Sequence, residues 1–260
     1  MAELVGLLVV FGLINLFSFR LVIDLLARRE VSGVNWRQKQ PTYYGLVFTV
    51  VFSLGALAGG LLGSYRFGQV NRLLILVLTM SVVGLLDDLI GTAQVRGLSG
   101  HFKALFSQGQ LTTGGLKALF SGLVFMAVSL DWYPGWGLSL VNGLIFLLAA
   151  NLINLFDVKP GRALKAGLLI TLVTIFTVPE QLNWIVLILA AIIFVLPYDL
   201  SEQGMLGDTG ANVLGVVLGF LIVISFRPAV KLIWLAGALG LHIYAEFSSL
   251  SRVIRGNCLL

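Results

Sequence analysis

The run Leu73-Leu74-Ile75-Leu76-Val77-Leu78-Thr79-Met80-Ser81-Val82-Val83-Gly84-Leu85-Leu86-Asp87-Asp88 decides the fold. It carries no charge from Leu73 to Leu86, and as a helix that stretch covers ~21 Å at 1.5 Å per residue before two adjacent carboxylates arrive. A bilayer core is ~30 Å thick, so the Asp pair falls at or slightly below a membrane surface. Charge at that depth is costly against lipid and is normally retained where it faces a cavity with a cation or a basic partner. The plainer alternative is that Asp87 and Asp88 end the helix and face water.

The rest of the chain agrees with a membrane helix. Of its 260 residues 58% are hydrophobic and only 11% are charged, with a mean hydropathy of +0.99, too apolar for a wetted surface. Apolar runs separated by charged or Gly/Pro-rich segments predict nine helices, near 4–26, 43–63, 70–90, 116–131, 138–156, 163–179, 183–198, 211–226 and 229–247. The expectation is an all-α polytopic membrane protein, with residues 1–260 forming a single transmembrane domain. The first run lacks a basic leader and a small-residue cleavage site, so it reads as a retained helix and not a removed signal. Cys258 is the single cysteine and His101 and His242 the two histidines, which excludes disulfides and a Cys/His zinc site.

The formal charge is +5. In a membrane protein that excess reads as Lys and Arg held near anionic lipid on the cytoplasmic side, and no nucleic-acid partner is expected. With nine spans, Arg28, Arg29, Arg37, Lys39, Arg96, Lys103, Lys117, Lys159, Arg162, Lys165, Arg252 and Arg255 share one side, against Arg66, Arg72, Arg227 and Lys231 on the other. That asymmetry predicts an outside N-terminus and a cytoplasmic C-terminus in the plasma membrane. Trp132, Trp136, Trp184 and Trp234 then fall together at the outer boundary. Asp87, Asp88, Asp157, Asp199, Glu202 and Asp208 all fall on the inner side.

Three constellations carry chemistry. Asp87-Asp88 offers adjacent oxygen ligands that suit Mg²⁺, a hard cation that completes its shell with water and substrate phosphates, and either carboxylate could act as a base. Beyond the pair, Lys103-Ala104-Leu105-Phe106-Ser107 recurs as Lys117-Ala118-Leu119-Phe120-Ser121, two amphipathic pieces whose lysines either bind phosphate or snorkel to headgroups. Asn151, Asn154 and Asp157 are three apart and line one helical face, as substrate ligands or as packing glue. Finally, Met205-Leu206-Gly207-Asp208-Thr209-Gly210-Ala211-Asn212 lies just before the eighth predicted helix, where Asp208 reads as an N-cap, a metal ligand or both.

The Asp-Asp pair, the Asn-x-x-Asn-x-x-Asp run and the Gly-Asp-Thr-Gly run, in that order on successive loops, resemble the polyprenyl-phosphate N-acetylhexosamine-1-phosphate transferases from about Gln40 onward. The resemblance implies a Mg²⁺-dependent transfer of a sugar 1-phosphate from a UDP-sugar to polyprenyl phosphate with release of UMP, in envelope polysaccharide or peptidoglycan synthesis. It implies catalytic roles for Asp87, Asp88 and Asp157, with Asp208 and Asp88 as metal ligands and Lys103, Lys117 and Asn154 as substrate-binding residues. Membrane lipid, and a second copy or another protein, complete the expected partners. Where the family reads Asp-Gly-x-Asp-Gly-Leu, this chain reads Asp157-Val158-Lys159-Pro160-Gly161-Arg162, and after His242 and Tyr244-Ala245-Glu246 neither the family's histidine cluster nor its tenth helix follows. Those departures keep open an inactive relative serving as a scaffold or regulator. A cation-coupled transporter fits less well, because the acids gather at one surface and no large repeat is present.

Overall fold

In a computed structural model, the described residues are 2–29, 44–90, 113–133, 135–202 and 204–247. Among them the chain forms α1 (Ala2–Arg29), α2 (Tyr44–Leu61), α3 (Phe67–Ile90), α4 (Thr113–Trp132), α5 (Trp136–Phe156), α6 (Arg162–Thr177), α7 (Leu182–Leu200), α8 (Gly207–Ser225) and α9 (Pro228–Phe247), with no strand. Each predicted apolar run is a helix. Eight of the nine are long and apolar enough to cross a membrane. The exception is α6, whose 16 residues reach ~24 Å. It stops where Val178 turns out of helical geometry and Pro179 opens a short 3₁₀ turn, Pro179–Gln181, because proline cannot donate the next helical hydrogen bond. The chain is a helical membrane protein.

Helix α8 is the axis of the bundle, buried along nearly its whole length from Gly207 to Val223. Lipid is as apolar as leucine, so hydrophobicity alone does not bring membrane helices together; close backbone packing across small residues does. That is how α8 is gripped. A Cβ at Gly84 of α3 would lie 2.5 Å from the Thr209 Cα, and one at Gly45 of α2 would lie 2.5 Å from the Gly210 backbone nitrogen. Farther along, Gly215 and Gly219 of α8 abut Ala149, Ala150, Ile145 and Phe146 of α5. Outward faces are apolar where no helix covers them: Leu8 and Phe17 on α1, Leu119 and Leu123 on α4 and Ile233 on α9 are all exposed.

The two ends of the bundle differ in chemistry. At one end, Arg72 pairs with Asp131 at 2.9 Å and lies 5.0 Å above the Trp132 ring. Tyr65 stacks on Trp184 there, centroids 3.6 Å apart, and Lys231 sits 4.9 Å over Tyr133. Following α3, α4, α5 and α7 from or toward that end leads in every case to the opposite one, where Asp87 and Asp88, Lys117, Asn154 and Asp199 lie. Asp87, Asp88, Asp157, Asp199 and Asp208 thus lie at the end opposite Trp132 and Trp184, while Asp131 stays with the tryptophans as the partner of Arg72.

Candidate functional site

Construction of the acidic end begins at the first turn of α8. A helix leaves its first amides without intrahelical acceptors, and here the chain's own N-cap position, Leu206, offers no side-chain acceptor. Carboxylates from other helices supply them. Asp88, at the end of α3, accepts the Asp208 N–H on Oδ1 at 2.9 Å and the Thr209 N–H on Oδ2 at 2.9 Å, with the Thr209 hydroxyl donating to Oδ2 at 2.7 Å. Asp157, just past α5, lies close to the Gly207 N–H. Gly84 and Asp88 are one turn apart on the same face of α3, so the missing side chain at Gly84 is what brings the backbone near enough for Asp88 to reach. Negative charge at a helix N-terminus is favourable by up to ~2 kcal/mol when partly buried.

Asp208 is thereby turned away from capping. Its carboxylate receives Lys117 Nζ at 2.8 Å, and the same ammonium lies 3.6 Å from Asp87. The Asp87 and Asn154 side chains both reach Asp208, while Asn212 donates to the Asp208 backbone carbonyl. Four helices therefore converge: α3 through Asp87 and Asp88, α4 through Lys117, α5 through Asn154 and α8 through Asp208. Asp157 is buried. That burial pushes its carboxyl well above the usual range, the neighbouring Asp199, Asp208 and Asp88 carboxylates add to the shift, and the Gly207 N–H opposes it.

A cleft of about 420 Å³ opens beside this cluster, lined by Asp87, Lys117, Asn151, Asn154, Asp208 and His242 among others. Asp87 and Lys117 also close the end of a second, apolar cavity of about 310 Å³ between α3 and α4. Within the cleft, His242 directs Nδ1 to the Ala238 carbonyl at 2.7 Å and its Nε2 has no hydrogen-bond partner among the described residues. Near the cluster, Asp199 accepts the Gly161 N–H at the start of α6.

Of the residues expected from the sequence, Asp87, Asp88, Lys117, Asn154, Asp157 and Asp208 gather around the first turn of α8. Lys103 lies outside the described residues. Asp88 stands closer to a structural role than the sequence implied, since each of its oxygens already accepts a bond from α8. Asn151, read from the sequence on the same face as Asn154 and Asp157, lines the same cleft, and Asn212 and His242 join it without having been singled out as site residues; the run Gly207-Asp208-Thr209-Gly210-Ala211-Asn212 contained the signal for Asn212, one turn beyond Asp208.

The donor set fits a magnesium ion. Mg²⁺ usually takes one or two carboxylates and completes its octahedron with water and substrate phosphates. Asp87 and Asp208 would provide hard oxygen ligands beside a cleft, but no group of three or more His, Cys, Asp or Glu that could hold a metal ion is present among the described residues, so water and substrate would have to complete the shell. Set against known proteins, the chain matches no family model and no curated sequence.

Proposed function

We propose that the protein transfers a sugar 1-phosphate from a UDP-sugar to polyprenyl phosphate at the cytoplasmic face of the plasma membrane, with Mg²⁺ as cofactor, in the assembly of an envelope polysaccharide or peptidoglycan. The observation that carries this reading is the convergence of Asp87, Lys117, Asn154 and Asp208 on one cleft at one end of the helical bundle. A phosphoryl transfer between two anions needs charge neutralised and the reactants aligned more than it needs covalent help.

In this reading, a phosphate oxygen of the lipid attacks the phosphorus that bears the sugar. The new phosphorus–oxygen bond forms as the anhydride bond to UMP breaks, and UMP departs with the electron pair. Asp208 and Asp87 would hold the Mg²⁺, which would supply charge neutralisation for the diphosphate. Lys117 exchanges its carboxylate contacts for the phosphate oxygens, and Asn154 holds Asp208 in position. Asp88 and Asp157 fix the first turn of α8, and Asp87 serves as acceptor for a proton on the attacking phosphate. The test is UMP release from purified protein given polyprenyl phosphate, Mg²⁺ and a panel of UDP-sugars, with and without chelator.

The alternative, a catalytically inactive relative acting as a scaffold or regulator of envelope synthesis, draws on one observation. Lys117 already neutralises part of the carboxylate charge that a metal would meet. No UMP release with any sugar nucleotide, from a protein that is folded, would favour it.

A further inference from the structure

Asp199 has no part in the chemistry above, yet it is a costly side chain to place. It lies at the end of α7, 1% exposed, and no Lys or Arg stands within ion-pair distance of it among the described residues. A buried carboxylate without a cation is expensive unless hydrogen bonds meet it. Oδ2 accepts the Gly161 N–H, while Oδ1 is buried without a hydrogen-bond partner among the described residues. Gly161 closes the turn 157–161 between α5 and α6. Its φ is +75°, and a Cβ there would collide with the Leu200 side chain. Two successive residues of α7, Asp199 by hydrogen bond and Leu200 by contact, thus hold the same glycine.

The turn's own backbone bonds are short-range: the N–H groups of Asp157, Val158 and Arg162 donate to the carbonyls of Asn154, Phe156 and Lys159 respectively. They set its curvature but do not fix its place against other helices. That place matters because the turn begins at Asp157, whose carboxyl lies close to the Gly207 N–H at the start of α8, next to Asp208. We propose that Asp199 is a positioning residue: through Gly161 it anchors the α5–α6 turn to α7 and so keeps Asp157 against the first turn of α8. The inference rests on the phosphosugar-transfer reading and adds to it a residue that acts on the site without touching substrate. Packing alone does not call for an acid here, because a leucine of similar size would fill the space without burying a charge.

The experiment measures amide hydrogen exchange and UMP release on the full-length protein in phosphatidylcholine nanodiscs. Asp199→Leu should speed exchange about tenfold in the segments 158–162 and 207–210 and leave the other helices unchanged. Asp199→Asn, whose side-chain carbonyl still accepts the Gly161 N–H, should stay close to the parent protein. With a sugar nucleotide that supports turnover, Asp199→Leu should lower kcat about tenfold or more at unchanged KM, because the site is displaced and not emptied. If Asp199→Leu does not fold, Gly161→Ala, which pushes the turn off Leu200, reads the same two segments. Exchange that stays slow, or that rises evenly through all helices, would overturn the proposal, as would loosening confined to 158–162. Asp199→Asn behaving like Asp199→Leu would overturn it by removing the hydrogen bond as the cause. A parent protein that releases no UMP with any sugar nucleotide counts against the transferase reading, and the exchange at 158–162 and 207–210 then decides the anchor by itself.

Discussion

At the scale of single residues, Lys117 and Asp88 hold opposite kinds of position. Lys117 bridges two carboxylates in the cleft, so Lys117→Gln should lower turnover about 10²-fold, the usual cost of removing one preorganised charge from a site that stabilises developing charge, with little change in thermal stability. UMP-release kinetics beside a melting curve would check it, and the reverse pattern would make Lys117 a structural counter-charge. For Asp88→Asn the expected order is inverted. An amide would point a donor at an α8 N–H or leave one buried amide without its acceptor, a penalty of about 1–3 kcal/mol, and the loss should appear first in unfolding. Asp208→Asn should abolish Mg²⁺-dependent turnover while the protein stays folded. The sequence exposed these carboxylates as candidates through their motifs, but not the division of labour among them. Whether an Asp in a Gly-Asp-Thr-Gly run caps its own helix depends on what lies across from it, and the partner here is 120 positions away.

At the scale of elements, the decisive contacts are glycines against backbone. Gly84→Leu should force α3 away from the first turn of α8, withdrawing Asp88 from its two amides and costing about 1–3 kcal/mol through overpacking alone. Gly122→Leu, a change of the same size on α4 with nothing within 4 Å, should be nearly silent. Thermal unfolding of the two variants separates a packing requirement from general intolerance of bulk. The helices themselves were readable because ~20-residue apolar runs leave few alternatives in a bilayer. The length of α6 was readable too, predicted over 163–179 and found as Arg162–Thr177, with Pro179 setting its end. Which helix would be buried escaped a hydropathy reading: α8 is no more apolar than its neighbours, and its glycines, not its leucines, put it at the centre.

At the scale of the whole molecule, the carboxylate cluster around α8 and the tryptophans at the other end of the bundle define two ends but not which way they face. The excess of Lys and Arg on one set of loops predicts a cytoplasmic acidic end. With Cys258 replaced by serine, cysteines introduced at Arg162 or Glu202 should resist an impermeant thiol reagent added to intact cells, whereas cysteines at Ser64 or Arg227 should be labelled. Labelling of the first pair would invert the protein in the membrane and move the proposed chemistry to the outside.

The carboxylates that complete the first turn of α8 also impose an order on the birth of the protein. Both Asp88 and Asp157 precede α8 in the chain, so a ribosome feeding helices into the bilayer delivers the acceptors before the donors. At about 5–20 residues per second, the 120 positions between Asp88 and Asp208 represent on the order of ten seconds during which the Asp88 carboxylate stands at the membrane edge with its α8 partners not yet made. The acidic end therefore cannot be finished until late in synthesis, and a nascent chain stalled before Gly207 would carry its acids without the helix that gathers them.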